Sequence, residues 1–286
     1  MRWDLGRGSD NIEDRRGEGG GMGGLALGGG GIGAIALALI GYFVFGDPNA
    51  LSGLQQQTAP PAQQGQAGTP GDQQGKFVSQ ILGSTEDVWT AELAKQGARY
   101  DPPQTVLYSD ATSTGCGLGQ AAMGPFYCPQ DRKVYIDLAF FRELSDRFGA
   151  PGDFARAYVI AHEVGHHVQN LLGTSDQVDA ARRRGSRTQS NRLSVRLELQ
   201  ADCYAGIWAA RADAMRHWLE SGDVEKGLAA ASAVGDDTLQ RETQGRVVPD
   251  AFTHGTSAQR THWFETGLKA ADIKECDTFS GDYQDL

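Results

Sequence analysis

The chain has 286 residues, and its 36 acidic against 26 basic side chains give a formal net charge of −10. That balance argues against nucleic acid as the main partner, because nucleic-acid-binding domains are usually basic. Hydrophobic residues make up 40%, enough for a core, in a chain whose length allows one large domain or two small ones.

Residues 1–24 (MRWDLGRGSDNIEDRRGEGGGMGG) are charged, Gly-rich and aperiodic, and little stable structure is expected there. No charge interrupts residues 25–46 (LALGGGGIGAIALALIGYFVFG). A helix of about 20 apolar residues spans a bilayer core, so this stretch is read as a transmembrane signal-anchor helix. A cleavable signal peptide fits less well, because no A-x-A site follows closely. Arg2, Arg7, Arg15 and Arg16 precede the span, and no Lys or Arg follows until Lys76. The positive-inside rule then places residues 1–24 in the cytoplasm and the rest of the chain outside it. Residues 47–75, rich in Gln, Pro, Gly and Ala, read as a flexible linker. The folded domain is expected over 76–286.

Within it, 84–97 reads as a helix capped by Ser84 and ended by Gly97. The run 105–109 reads as a strand, and 126–138 as a hairpin turning through Pro129–Arg132. A short helix is expected over 139–149. A long one follows over 153–173, with Asp153 as its cap, Gly173 as its terminator and apolar residues nearly all round. Another is expected over 190–219, and further helix over about 223–245. The fold class is therefore mainly α, with a small antiparallel β-sheet before the central helix.

That central helix carries AHEVGHHVQ. Residues four apart on a helix lie one turn apart on one face, so His162 and His166 project together and can hold one Zn²⁺. Glu163 can reach a zinc-activated water, the H-E-x-x-H arrangement. His167 is rotated by about 100° from His166, so it is expected to pack or support rather than ligate. Catalytic zinc needs a third protein ligand and an open position. RLELQADCYAG, on the next long helix, offers Glu198 as that ligand and Asp202 to hold the free nitrogen of a ligand histidine. The reverse assignment, Asp202 as ligand and Glu198 as support, stays open.

These residues resemble the gluzincin metallopeptidases, in which H-E-x-x-H is followed by E-x-x-x-D. More closely, the chain resembles the bacterial neutral zinc metallopeptidase family. The stretches MRWDLGRGSDNIEDRRG, GPFYCPQDRKVYIDLAFF, AYVIAHEVGHHVQNLLG, LSVRLELQADCYAGIW and VVPDAFTHGTSAQRTHWFETG carry the likeness. It covers everything but the linker. It implies a zincin-like domain, single-pass in the bacterial cytoplasmic membrane, with one catalytic Zn²⁺; a protein or peptide is the expected substrate of the reaction such a site performs. THGTSAQR resembles the T-H-P-x-x-x-x-R element of membrane-linked zincin proteases, with Gly255 where that element has proline. By that likeness His254 stabilises an oxyanion and Arg260 pairs with a carboxylate such as Asp202.

Four cysteines allow three pairings. An exported domain favours disulfides over free thiols, and Cys116–Cys128 with Cys203–Cys276 is the favoured set. The expected activity is peptide-bond hydrolysis with Glu163 as general base. The alternatives are a non-catalytic envelope scaffold of zincin fold and a zinc amidase acting on cell-wall peptides. The basic run ARRRGSR (181–187) reads as a solvated turn.

Overall fold

The computed structural model describes residues 1–16, 66–68, 70–120, 124–146 and 150–286. The expected span 25–46 and most of the linker lie outside the described residues. Among those described, no helix is long and apolar enough to cross a membrane.

In chain order the strands and helices are β1 (Ile12–Asp14), β2 (Gln66–Ala67), α1 (Gln73–Lys95), β3 (Gln104–Tyr108), β4 (Ala111–Thr114), β5 (Gly117–Gln120), β6 (Phe126–Cys128) and β7 (Lys133–Asp137). Then come α2 (Ala139–Asp146), α3 (Asp153–Leu171), α4 (Thr174–Arg182), α5 (Arg187–Arg216), α6 (Asp223–Ala233), α7 (Asp236–Gln244) and α8 (Ser257–Ala270). The architecture is mainly helical, as expected, but the sheet is mixed rather than antiparallel. Its strand order is β2-β1-β3-β7-β6, and β4-β5 form a separate two-stranded sheet. β3 runs parallel to both β1 and β7, while β2 and β6 pair antiparallel at the edges. Parallel neighbours need long crossovers. The chain supplies them with α1 between β1 and β3, and with the β4-β5 hairpin between β3 and β7. No local pattern at the strands reveals such pairings.

Two segments expected to lack structure belong to the fold. Residues 1–16 are not a separate disordered tail: Trp3–Leu5 form a 3-10 turn and Ile12–Asp14 an internal strand, with Ile12 buried among Phe77, Val78 and Ile81. β2 and the start of α1 also fall within the expected linker. α1 begins at Gln73, where Asp72 caps it by accepting from the amides of Gln74 and Gly75 at 3.1 and 3.0 Å. Ser84 is therefore a mid-helix residue rather than a cap, and it accepts a hydrogen bond from buried Trp208 Nε1 at 2.8 Å. Polar Gln73, Gln74 and Gly75 look like linker, and only the buried face from Phe77 onward shows the helix.

The hairpin forms as read, with Phe126 opposite Tyr135 and Cys128 opposite Lys133. α3 is nearly encircled by the core, and α5 packs across it. The helices approach closely because Gly165 faces the Ala201 backbone; a Cβ at Gly165 would lie 3.1 Å from the Ala201 carbonyl oxygen. α5 starts with a capping box, Ser186 with Gln189, and ends at His217 in a left-handed conformation. Its other face meets α8 with still less room: a Cβ on Gly267 would sit 1.9 Å from the Cys203 carbonyl oxygen. The helix expected over 223–245 is two helices, α6 and α7, broken at Val234–Gly235. Disulfides join Cys116 to Cys128 and Cys203 to Cys276, with Cα separations of 5.8 and 5.6 Å, in the favoured pairing. The first ties the β4-β5 turn to β6, and the second pins the C-terminal segment to α5. The run 181–187 is an exposed connection between α4 and α5.

Candidate metal centre and active site

The close crossing of α3 and α5 sets two consecutive turns of one helix against two of the other. His162 and His166 therefore face Glu198 and Asp202. The Glu198 carboxylate lies between the imidazoles, its Oε2 3.2 Å from His162 Nε2 and its Oε1 3.4 Å from His166 Nε2. His162, His166 and Glu198 each offer a ligand atom within 4.8 Å of the others.

The far side of each imidazole is held. His162 Nδ1 lies 2.9 Å from Asp202 Oδ1, and His166 Nδ1 2.9 Å from Gln169 Oε1. The Gln169 amide nitrogen donates to the Leu197 carbonyl at 2.7 Å and to Gln200 Oε1 at 3.1 Å, which leaves its oxygen as the acceptor. Both imidazoles can then donate through Nδ1 and keep the Nε2 lone pair free. Metal-ligating histidines are characteristically arranged in this way, with the partner on the far nitrogen fixing tautomer and ring orientation.

Asp202 is not free to ligate. It is fully buried, and it accepts from Arg260 Nε on Oδ2 at 2.9 Å and from Arg260 Nη2 on Oδ1 at 3.0 Å. Tyr158 donates to Oδ1 at 2.5 Å and itself accepts from Arg260 Nη2 at 3.2 Å. This geometry favours Glu198 as the ligand and Asp202 as the support. Two imidazole nitrogens and one carboxylate converging at this buried helix crossing would suit a zinc ion with a position left open for substrate.

Buried charge shapes the site's electrostatics. Burial opposes a charge on His162, but Asp202 and Glu198 outweigh it and lift the imidazole to about 10. Burial would also raise Glu198, yet His166, His254 and His162 hold it well below the ordinary carboxylate range. In the absence of metal, protons and carboxylates stabilise one another here, so zinc binding competes with protons. Glu163, only 8% exposed, is pushed upward by burial, with His162 and His166 opposing. A carboxyl group shifted toward neutrality suits a proton acceptor that must later donate.

His167 is buried away from the ligand set. Its ring nitrogens lie 3.1 Å from Tyr127 Oη and 2.6 Å from the Asp101 carbonyl oxygen, so it ties α3 to edge strand β6. His254 stands on the loop before α8, near enough to Glu198 for each charge to shift the other. Its loop is built around Asp236, whose Oδ2 accepts from the amides of Thr253, His254 and Gly255 at 2.7, 2.6 and 3.1 Å. Asp236 Oδ1 lies 3.3 Å from His254 Nδ1. Sequence reasoning missed Asp236, Gln169 and Tyr158. Gln169 was accessible in principle, since it follows His166 by one helical turn. Tyr158 was equally accessible, one turn before His162 on the same helix, whereas Asp236 carries no local signal because His254 comes from another element.

A family profile described as "Putative neutral zinc metallopeptidase" matches residues 1–279. The chain is 49% identical over 289 residues to "Uncharacterized protein YpfJ" of Escherichia coli (strain K12), covering 98% of this chain and 99% of that one. It is 42% identical over 207 residues to "Uncharacterized protein Rv2575" of Mycobacterium tuberculosis (strain H37Rv), covering 69% and 68%. No solved structure matches the chain.

Proposed function

Because the chain belongs to the neutral zinc metallopeptidase family, we propose that it is a zinc-dependent peptidase that hydrolyses peptide bonds outside the cytoplasm. The observation that carries this reading is the three-ligand cluster, with both histidines held from behind and Glu163 beside them on the same helix. The two disulfides suit an oxidising compartment.

His162 and His166 through Nε2, and Glu198 through its carboxylate, would hold the zinc. When bound, the ion supplies Lewis-acid polarisation of a carbonyl and lowers the pKa of water toward about 7. Glu163 accepts the proton of the attacking water and passes it to the leaving amine. Asp202 and Gln169 keep the two imidazoles in the tautomer that leaves Nε2 available. Arg260 compensates Asp202, so that this support does not become an uncompensated buried charge. His254, oriented by Asp236, donates to the oxygen on which negative charge develops.

The test is incubation of the purified chain with a mixed peptide substrate and, in parallel, with cell-wall peptide fragments. Cleavage that a chelator abolishes and one equivalent of zinc restores is the expected result for the peptides. Cleavage of the cell-wall fragments alone would move the activity to an amidase. No zinc-dependent cleavage of either, in protein shown to contain zinc, would leave a scaffold.

A further inference from the structure

The first 16 residues are bound to the domain along their whole length. At Gly6 a Cβ would lie 2.6 Å from the Trp218 ring, and at Gly83 on α1 a Cβ would lie 2.4 Å from the Arg7 carbonyl oxygen. The N-terminal backbone thus runs against α1 with no room for a side chain between them. Ser9 N donates to the Ser79 carbonyl at 2.9 Å, and Ser79 Oγ returns a bond to the Ser9 carbonyl at 2.9 Å. Arg7 pairs with Glu86 and Asp87 at 2.8 and 2.9 Å, and Trp3 Nε1 donates to Asp153 on α3 at 2.9 Å. β1 is then an internal strand. Thr105 N donates to the Asn11 carbonyl at 2.8 Å, Arg15 N to the Leu107 carbonyl at 2.7 Å, and Gly68 N to the Ile12 carbonyl at 2.8 Å.

This arrangement fixes both ends of the segment between β1 and β2. Asp14 lies opposite Gln66 in the antiparallel pair, so residues 17–65 leave and rejoin the domain at adjacent strands of one sheet. A segment whose ends lie on one side of a bilayer must cross it an even number of times. Two helical passes need about 40 apolar residues. The uncharged run 25–46 supplies one pass at most. Two strands cannot cross as an open pair, because their outer backbone groups would be left unsatisfied in lipid.

We propose that residues 1–16 lie on the same side of the membrane as the catalytic domain. The run 25–46 therefore does not serve as a single-pass anchor with its N-terminal flank in the cytoplasm. Any contact it makes with lipid is made from the side where the domain lies. The four arginines at 2, 7, 15 and 16 suggested a cytoplasmic flank, but Arg7, Arg15 and Arg16 pair with acidic side chains of the fold.

The test labels exposed positions of the full chain in bacterial cells, with Asp10→Cys reporting on the N-terminal segment and Glu225→Cys on the domain. Spheroplasts are treated with a membrane-impermeant maleimide before and after lysis. The same protection pattern at both positions is expected. Labelling of position 225 in intact spheroplasts with position 10 reached only after lysis would overturn the proposal. Both positions labelled only after lysis would support it and would overturn the extracytoplasmic assignment instead. Asp4→Cys with Gln177→Cys forms a second pair, in case the new thiols disturb the native disulfides. The readout needs neither zinc nor activity, so it fails or succeeds apart from the peptidase reading.

Discussion

Glu163→Gln is expected to keep a full equivalent of zinc and to lower kcat by roughly 10²–10⁴-fold, the usual contribution of a positioned general base. The reason is local. Glu163 lies one residue from His162 but outside the three-ligand cluster, so replacing it removes no donor. The carboxamide has the same shape and cannot accept a proton from water. Burial already works against the charged form of Glu163, so a neutral isostere should not destabilise the helix. Metal analysis and turnover of one preparation check the claim. Full activity in a zinc-loaded variant would remove Glu163 from the mechanism. Loss of zinc would make it a ligand.

Arg260→Ala is expected to give the second large effect, this time on stability. Arg260 is 4% exposed, and its partner Asp202 is fully buried. Removing one member of such a pair leaves an uncompensated charge and costs about 3–5 kcal/mol. For a domain of this size that lowers Tm by roughly 6–20 °C, at about 2–4 °C per kcal/mol. Arg260→Lys should fall between the two, because it keeps the charge but loses the fork that meets both Asp202 oxygens. Asp202 also holds His162 Nδ1, so zinc affinity should fall by about 10–100-fold in Arg260→Ala. Thermal melts with and without zinc measure both effects. A melt unchanged from the parent chain would show that the pair does not support the site.

The candidate ligand set was legible because each half follows one helical period. His162 and His166 are four apart, and so are Glu198 and Asp202, so spacing alone assigns each pair to one helix face. Likeness to His₂Glu sites favours Glu198 over Asp202, and the fold supplies a geometric reason for that choice. The family likeness already points Arg260 at Asp202; the fold adds Tyr158 on the same carboxylate and leaves Glu198 facing two Nε2 atoms. His254 was visible as a motif, but its partner Asp236 was not, since the two meet only when α7 packs beside the loop before α8. The sheet was the least legible part. β1 is three residues long, sits in a charged Gly-rich stretch and pairs in parallel with a strand from beyond the long insertion. Its hydrophobic content is essentially Ile12, which is too little for a period to show. The same short strand changes the reading of 25–46, whose composition alone suggests a simple anchor.

On the proposed reading α3 and α5 together hold one zinc through His162, His166 and Glu198. Zinc content of the dialysed wild-type chain and of Glu198→Ala, measured side by side, tests it most directly. One equivalent in the wild type and a small residual fraction in the variant is the predicted result. A full equivalent retained by Glu198→Ala would contradict it and move the third ligand elsewhere.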